Sequence, residues 1–220
     1  MAGVIGNSPY KWYIRFAARN CPKYLSLLGM RLINGRAKIS VAPRHASNKW
    51  PSFLSMNIVE GHFYFVEDSF FAFVADPFLM SNKESGIKRP CFMAIDQGDG
   101  IIWMVPVTSK IAKFRSIYAK KMDSQGKCDT LVFGSLLGRD CVFLIQNIFP
   151  IIPEFLSCEY IQASNSTPVS VSGPVVSNIK SKAKKVLAMV KHGKRGLVFP
   201  NILDIERRLR ERLVLNKPHR

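Results

Sequence analysis

The stretch PCFMAIDQGDGIIWMVPVTSK, residues 90–110, decides how this chain folds. Pro90–Asp96 and Ile101–Val107 are short apolar runs of strand length, and Gln97-Gly98-Asp99-Gly100 between them carries the Gly and Asp chemistry of a hairpin turn. Pro106 falls at the end of the second run, where a missing ladder donor costs least. A helix follows directly: Ser109 is placed to cap it, and Ile111, Phe114, Ile117 and Tyr118 make one apolar stripe that ends near Met122.

Working outward, His62–Val66 is aromatic and β-branched and predicts a first strand. Asp68-Ser69 caps a short apolar helix through Phe70, Phe71 and Phe73, which Asp76-Pro77 ends. Ser81–Lys88 reads as a polar, basic loop. Asp129–Leu137 and Cys141–Gln146 form a second hairpin around Gly138-Arg139, and Ile148–Phe155, with two prolines, reads as an irregular crossing. Strands near Glu159–Gln162 and Val169–Val171 flank a Ser/Asn-rich turn at Ala163–Pro168. Ser177 caps a helix with Ile179, Ala183, Val186, Leu187 and Val190 on one face, stopped by Gly193, and Asn201 caps a last helix carrying Ile202, Ile205, Leu209 and Leu213. Strand hairpins and helices without βαβ spacing predict an α+β fold: a compact, twisted, largely antiparallel, barrel-like sheet with flanking helices.

Charge is the strongest compositional signal. Among 220 residues, 32 Lys and Arg stand against 15 Asp and Glu, a formal net charge of +17. Such an excess repels itself unless a polyanion neutralises it, which points to nucleic acid, with an anionic membrane surface as the weaker rival. At 47% apolar the chain can bury one real core and is not a disordered polyelectrolyte. No apolar run reaches the roughly 18 residues of a membrane-spanning helix. Neither Cys21, Cys91, Cys128, Cys141 and Cys158 nor His45, His62, His192 and His219 contain the close pairs of a zinc site, so the thiols read as buried and reduced.

The first 55 residues are set apart, because no Asp or Glu precedes Glu60. This basic, acid-free extension is read in three ways: an organelle transit sequence, an arm that folds on RNA, or, favoured here, disordered or non-native peptide translated from an upstream start. Residues 56–220 form the folded module.

Chemistry concentrates where the second strand of the 90–107 hairpin passes into a helix. Unpaired N–H groups and the positive end of the helix dipole gather there, Thr108 and Ser109 add hydroxyls, and Lys110 and Lys113 add charge, which together suit a phosphate. The competing reading is a plain N-cap beside a solvated face. Lys88-Arg89 enters the antiparallel partner strand, so it arrives at the same end, and an arginine fork suits phosphate oxygens. Arg115, Lys120, Lys184 and Lys185 sit on basic helices suited to an RNA backbone. Tyr64, Phe65 and Phe92 are candidates for stacking bases, Gln146-Asn147 for reading them, and His62 for the site, each against an ordinary structural role.

The order of strand, turn, strand and Pro106-Val107-Thr108-Ser109-Lys110, followed by Phe143–Ile151 and Lys182–Leu187, resembles the ToxN/AbiQ superfamily of type III toxin–antitoxin toxins. Lys127-Cys128-Asp129-Thr130 resembles its CptN-like branch most. The resemblance spans about Val59 to Leu215. It implies a cytoplasmic, metal-independent endoribonuclease that cuts single-stranded A-rich RNA, mRNA included, by 2′-OH attack to a 2′,3′-cyclic phosphate, with no cofactor. It implies a repeated pseudoknot RNA antitoxin as inhibitor, an RNA-bridged homo-oligomeric assembly, and a role in phage defence. Thr108, Ser109 and Lys110 or Lys113 then line the scissile phosphate, and Lys88-Arg89 supply a basic ligand. The reading from another class is a non-catalytic basic protein that binds RNA or DNA.

Overall fold

The structure is a computed structural model that describes residues 58–82, 88–162 and 167–215, together with the backbone of Met30–Ile33 and Arg36–Ile39. The chain divides into two units: 1–57 with 159–168, and 58–158 with 169–220. In the first, β1 (Met30–Ile33) and β2 (Arg36–Ile39) pair antiparallel, and Ile161 bridges Pro168. The other readings of the first 55 residues, the centre of the Ser81–Lys88 loop and the tip of the Ala163–Pro168 turn lie outside the described residues.

The second unit is built on the expected hairpin. β4 (Pro90–Asp96) and β5 (Ile102–Thr108) pair antiparallel with one irregularity between Met93 and Ile95. Gly98 and Gly100 adopt φ of 74° and 89° in the turn, where a side chain would be strained. Asp96 Oδ1 accepts the Gly98 N–H at 2.8 Å and Asp99 Oδ1 accepts the Ile101 N–H at 3.0 Å, which fixes the loop locally. β3 (Phe63–Val66) lies antiparallel beside β4, and β9 (Leu156–Glu159) beside β3. β6 (Leu131–Leu136) and β7 (Arg139–Leu144) form the second hairpin, turned by Leu137 and Gly138 at φ 52° and 73°, one residue earlier than the sequence suggests.

β5 is the fork of the sheet. Its first half, Ile102–Met104, pairs with β8 (Phe149–Ile151), while its end, Val107 and Thr108, pairs with Phe143 and Val142 of β7. The irregular crossing expected at Ile148–Phe155 is therefore partly a strand. Pro150 is tolerated because it sits opposite Trp103 in a short strand that pairs with β5 alone. The strand path runs β6-β7-β5-β4-β3-β9 with β8 attached to β5, an open sheet of seven strands among the described residues.

Helices cover the sheet. α1 (Asp68–Val74) is preceded by Glu67, which makes no side-chain cap bond, so Asp68 sits in the first turn rather than capping it. Phe70 of α1 packs its ring 5.4 Å from Phe149 and 5.5 Å from Phe155. α2 spans Ile111–Gln125, longer than the stripe predicts, and ends on Gly126 at φ 65°. α3 spans Gly173–Lys191, starting four residues before Ser177, because Pro174 fits the first turn where its missing N–H is no loss. α4 spans Ile202–Leu215, and Asn201 Oδ1 accepts the Asp204 N–H at 3.4 Å, as the capping expectation requires. Val169 is buried but belongs to no strand.

The core lies between sheet and helices. Phe63, Phe92 and Phe143 meet with ring centroids 5.3–6.2 Å apart, and each such ring contributes about 1.5–3 kcal/mol through burial. A second cluster under α2 joins Phe114, Leu131, Val142 and Leu144, edged by Ile111, Tyr118 and Phe133. Cys91, Cys128, Cys141 and Cys158 are all buried, and loss of solvation pushes the Cys91 thiol up to about 12 despite nearby Arg89. Alkylation near neutral pH should therefore leave Cys91 intact until the protein unfolds, when mass mapping finds it labelled; labelling of the native protein would contradict its burial.

Candidate functional site

Thr108 ends β5 half-buried, and Ser109 and Lys110 are exposed at the start of α2. The expected Ser109 cap is absent: Lys110 occupies the cap position without a side-chain bond, and Thr108 Oγ1 accepts the Lys110 N–H at 3.3 Å. No acid lies in the first turn of α2. The positive end of this helix is thus left without a carboxylate of its own.

Across the hairpin, Cys91 pairs with Pro106, and the register continued by two residues sets Arg89 abreast of Thr108. Arg89 is half-buried, and its Nε is shielded from solvent with no hydrogen-bond partner. A buried, unsatisfied guanidinium nitrogen costs about 1–3 kcal/mol, so its position calls for an acceptor. Lys88, expected beside it on RNA, is turned away. Its side chain is 2% exposed, and Nζ contacts Glu67 Oε2 at 2.6 Å and Ser157 Oγ at 3.1 Å. Strand alternation sends neighbouring side chains to opposite faces, so only one of the pair reaches this end of the site.

The charges of α2 stay uncancelled. Lys110, Lys113, Arg115 and Lys120 are exposed, and none pairs with a carboxylate among the described residues, although Lys113 Nζ lies 5.8 Å from the Phe114 ring centre. α3 and α4 differ. Lys185 pairs with Asp129 at 2.8 Å, Lys180 with Glu60, and Lys182 Nζ donates to the carbonyls of Cys128 and Leu131 at 2.7 and 3.2 Å. Of the two α3 candidates, Lys184 alone is exposed and outside any ion pair among the described residues. On α4, Arg207, Arg210 and Arg212 bind Asp204, Glu206, Asp99, Glu211 and Glu154. Burial raises the Asp99 carboxyl, yet the Ile101 N–H and Arg210 outweigh it and hold it below the ordinary range.

Other candidates fall elsewhere. Tyr64 is fully buried and its hydroxyl accepts the Val59 N–H at 2.9 Å, and Phe92 and Phe65 are core rings, so none presents a face for stacking. Gln146 is 6% exposed within a 3-10 turn, beneath Phe199, whose N–H donates to its carbonyl. His62 lies beside Met93, four residues along β4 from Arg89, about 13 Å at strand rise.

A feature the sequence did not disclose is an open groove of about 460 Å³ between α2 and the β6–β7 hairpin. Ile111, Arg115 and Tyr118 form one wall, and Phe133, Gly134, Asp140 and Cys141 the other. The Tyr118 and Phe133 rings meet edge-on at 5.5 Å. Helical spacing sets Ile111, Arg115 and Tyr118 on one face, a signal available in the sequence, but their opposite wall arises only from hairpin register. Among the described residues no three His, Cys, Asp or Glu side chains gather as a metal site, and no helix is long and apolar enough to cross a membrane.

No known protein family matches the sequence, and no curated protein is similar to it. Solved structures are similar in fold. One is AbiQ, a lactococcal anti-phage endoribonuclease belonging to the type III toxin–antitoxin system, at TM-score 0.55 and 13% identity, over 71% of this chain and 98% of AbiQ. Another is a protein from work on bacterial type III toxin–antitoxin systems, in which a non-coding RNA pseudoknot selectively inhibits the toxin, at TM-score 0.49 and 16% identity, over 70% of this chain and 99% of its own. This chain thus shares its fold with AbiQ over 71% of its length.

Proposed function

We propose that this chain is the toxin of a type III toxin–antitoxin system, an endoribonuclease that cuts single-stranded RNA without a metal and is held inactive by a repeated pseudoknot RNA. The observation that carries the reading is the convergence of Arg89, Thr108, Ser109 and the acid-free start of α2 at one sheet end, on a fold shared with AbiQ. A net charge of +17 over the whole chain, with Lys110, Lys113, Arg115 and Lys120 at and along α2 outside any ion pair among the described residues, supports a polyanionic partner. RNA that bridges copies of the chain would neutralise the remainder, and the cytoplasm is where such a toxin meets mRNA.

In this reading the ribose 2′-OH attacks the adjacent phosphorus and gives its proton to solvent water, and the bond to the 5′-oxygen breaks, leaving a 2′,3′-cyclic phosphate and a 5′-hydroxyl. Arg89 and the N–H groups of Ala112 and Lys113 in the first turn of α2 hold the non-bridging oxygens and match the charge that grows on them. Ser109 donates a hydrogen bond to the same phosphate and aligns it for attack. Lys110 or Lys113 gives a proton to the departing 5′-oxygen.

Incubation of labelled single-stranded RNA with the purified protein in EDTA tests this. Products ending in 2′,3′-cyclic phosphate are expected, and Ser109→Ala and Lys113→Ala should each slow cleavage by about 10²-fold with unchanged thermal melting. Salt-sensitive binding without any product would instead identify a non-catalytic RNA-binding protein.

A further inference from the structure

The groove beside the site has a composition that a phosphate backbone does not explain. Asp140 is the only acid lining it, and a carboxylate repels phosphate. Its wall otherwise offers the flat edges and faces of Tyr118 and Phe133 and the exposed Arg115. An acceptor, a cationic fork and aromatic surface within one opening describe a site for a nucleobase.

Sheet register ties this opening to the proposed phosphate position. Thr108 of β5 pairs with Val142 of β7, and Val142 pairs with Phe133 of β6. Directly opposed residues share a face, so Arg89, Thr108, Val142 and Phe133 form one row across the sheet. Val142 packs against Phe114 of α2, which fixes that face as the one beneath the helix. Asp140, two residues from Val142, emerges on the same side. A Cβ at Gly134 would instead meet Phe143 and Val175 at 3.1 Å, so Gly134 lines the groove with backbone only. Two strand spacings separate Thr108 from Phe133, about 10 Å, the reach of a base whose own phosphate neighbours Thr108.

Resting on the ribonuclease reading above, we infer that this groove is a guanine subsite for a nucleotide flanking the scissile phosphate. Guanine alone offers two adjacent donors, N1–H and N2–H, for a carboxylate and two adjacent acceptors, O6 and N7, for an arginine fork. Asp140 takes the first edge and Arg115 the second, while the ring lies against Tyr118 and Phe133. The preference is confined to this subsite and is separate from the A-rich preference that the family resemblance implies.

Fluorescence anisotropy with short oligouridines carrying one central guanosine, adenosine, cytidine or inosine tests the subsite without requiring cleavage. One guanosine should tighten binding about tenfold over oligouridine, and inosine, which lacks the N2 amine, should forfeit most of that gain. Asp140→Asn should erase the guanosine gain, so that guanosine-bearing and plain oligouridines bind this variant alike. Sequencing of cleavage ends should show guanine fixed at one position beside the cut, with that bias lost in Asp140→Asn. Cleavage without guanine dependence, or a guanosine gain indifferent to Asp140→Asn, overturns the subsite. Guanosine-dependent binding with no cleavage overturns the ribonuclease reading and leaves the subsite standing.

Discussion

Replacement of Arg89 by methionine should stop the proposed RNA cleavage while the protein melts at the same temperature or higher. The two effects follow from one geometry. Arg89 is half-buried beside Thr108 and its Nε has no protein acceptor, so in the free protein its head is a burden on folding. Methionine keeps the apolar stem in place and removes the unsatisfied donor. The same head is the cation set abreast of Thr108 across the hairpin. Losing a preorganised donor of this kind costs about 10²–10³ in rate, or roughly 3–4 kcal/mol of transition-state stabilisation. Single-turnover cleavage and differential scanning calorimetry read the two separately. A large fall in melting temperature with cleavage intact would show that Arg89 is structural.

The second large effect concerns its neighbour. Glu67→Ala should destabilise the fold by about 3 kcal/mol, because it removes the carboxylate 2.6 Å from a Lys88 ammonium whose side chain is 2% exposed. Ser157 Oγ at 3.1 Å offers a dipole in place of a charge. Lys88→Met in the Glu67→Ala background should recover most of the loss, since an apolar chain of similar length suits the space left by the ammonium. Denaturant titration reads the stabilities of all three proteins, and their affinity for single-stranded RNA, read by fluorescence anisotropy, should stay constant. A drop in RNA affinity on Lys88→Met alone would return Lys88 to the site.

These neighbours show where sequence reading succeeds and where it stops. The β4–β5 hairpin was legible from Gly98, Asp99 and Gly100 flanked by apolar runs, because turn chemistry and strand composition act locally. The α3 and α4 stripes were legible for the same reason: Ile179, Ala183, Val186 and Leu187 are buried as their spacing requires. Which of Lys88 and Arg89 faces the site was not legible, since strand phase relative to a distant partner decides it. Tyr64 likewise gave no sign of its hydroxyl's partner. The strand at Phe149–Ile151 was hidden by Pro150, whose cost depends on whether a second neighbour needs its donor. Asp140 carried no signal at all, because its meaning comes from Phe133, Tyr118 and Arg115 on two other elements.

The fork in β5 has an evolutionary consequence. One half of the strand answers to β8 and the other to β7, with Val105 and Pro106 between them. An insertion or deletion of a single residue there would preserve the β8 half yet turn Thr108 to the opposite side of the sheet. Distant kin should therefore keep the spacing of this short span more faithfully than its letters.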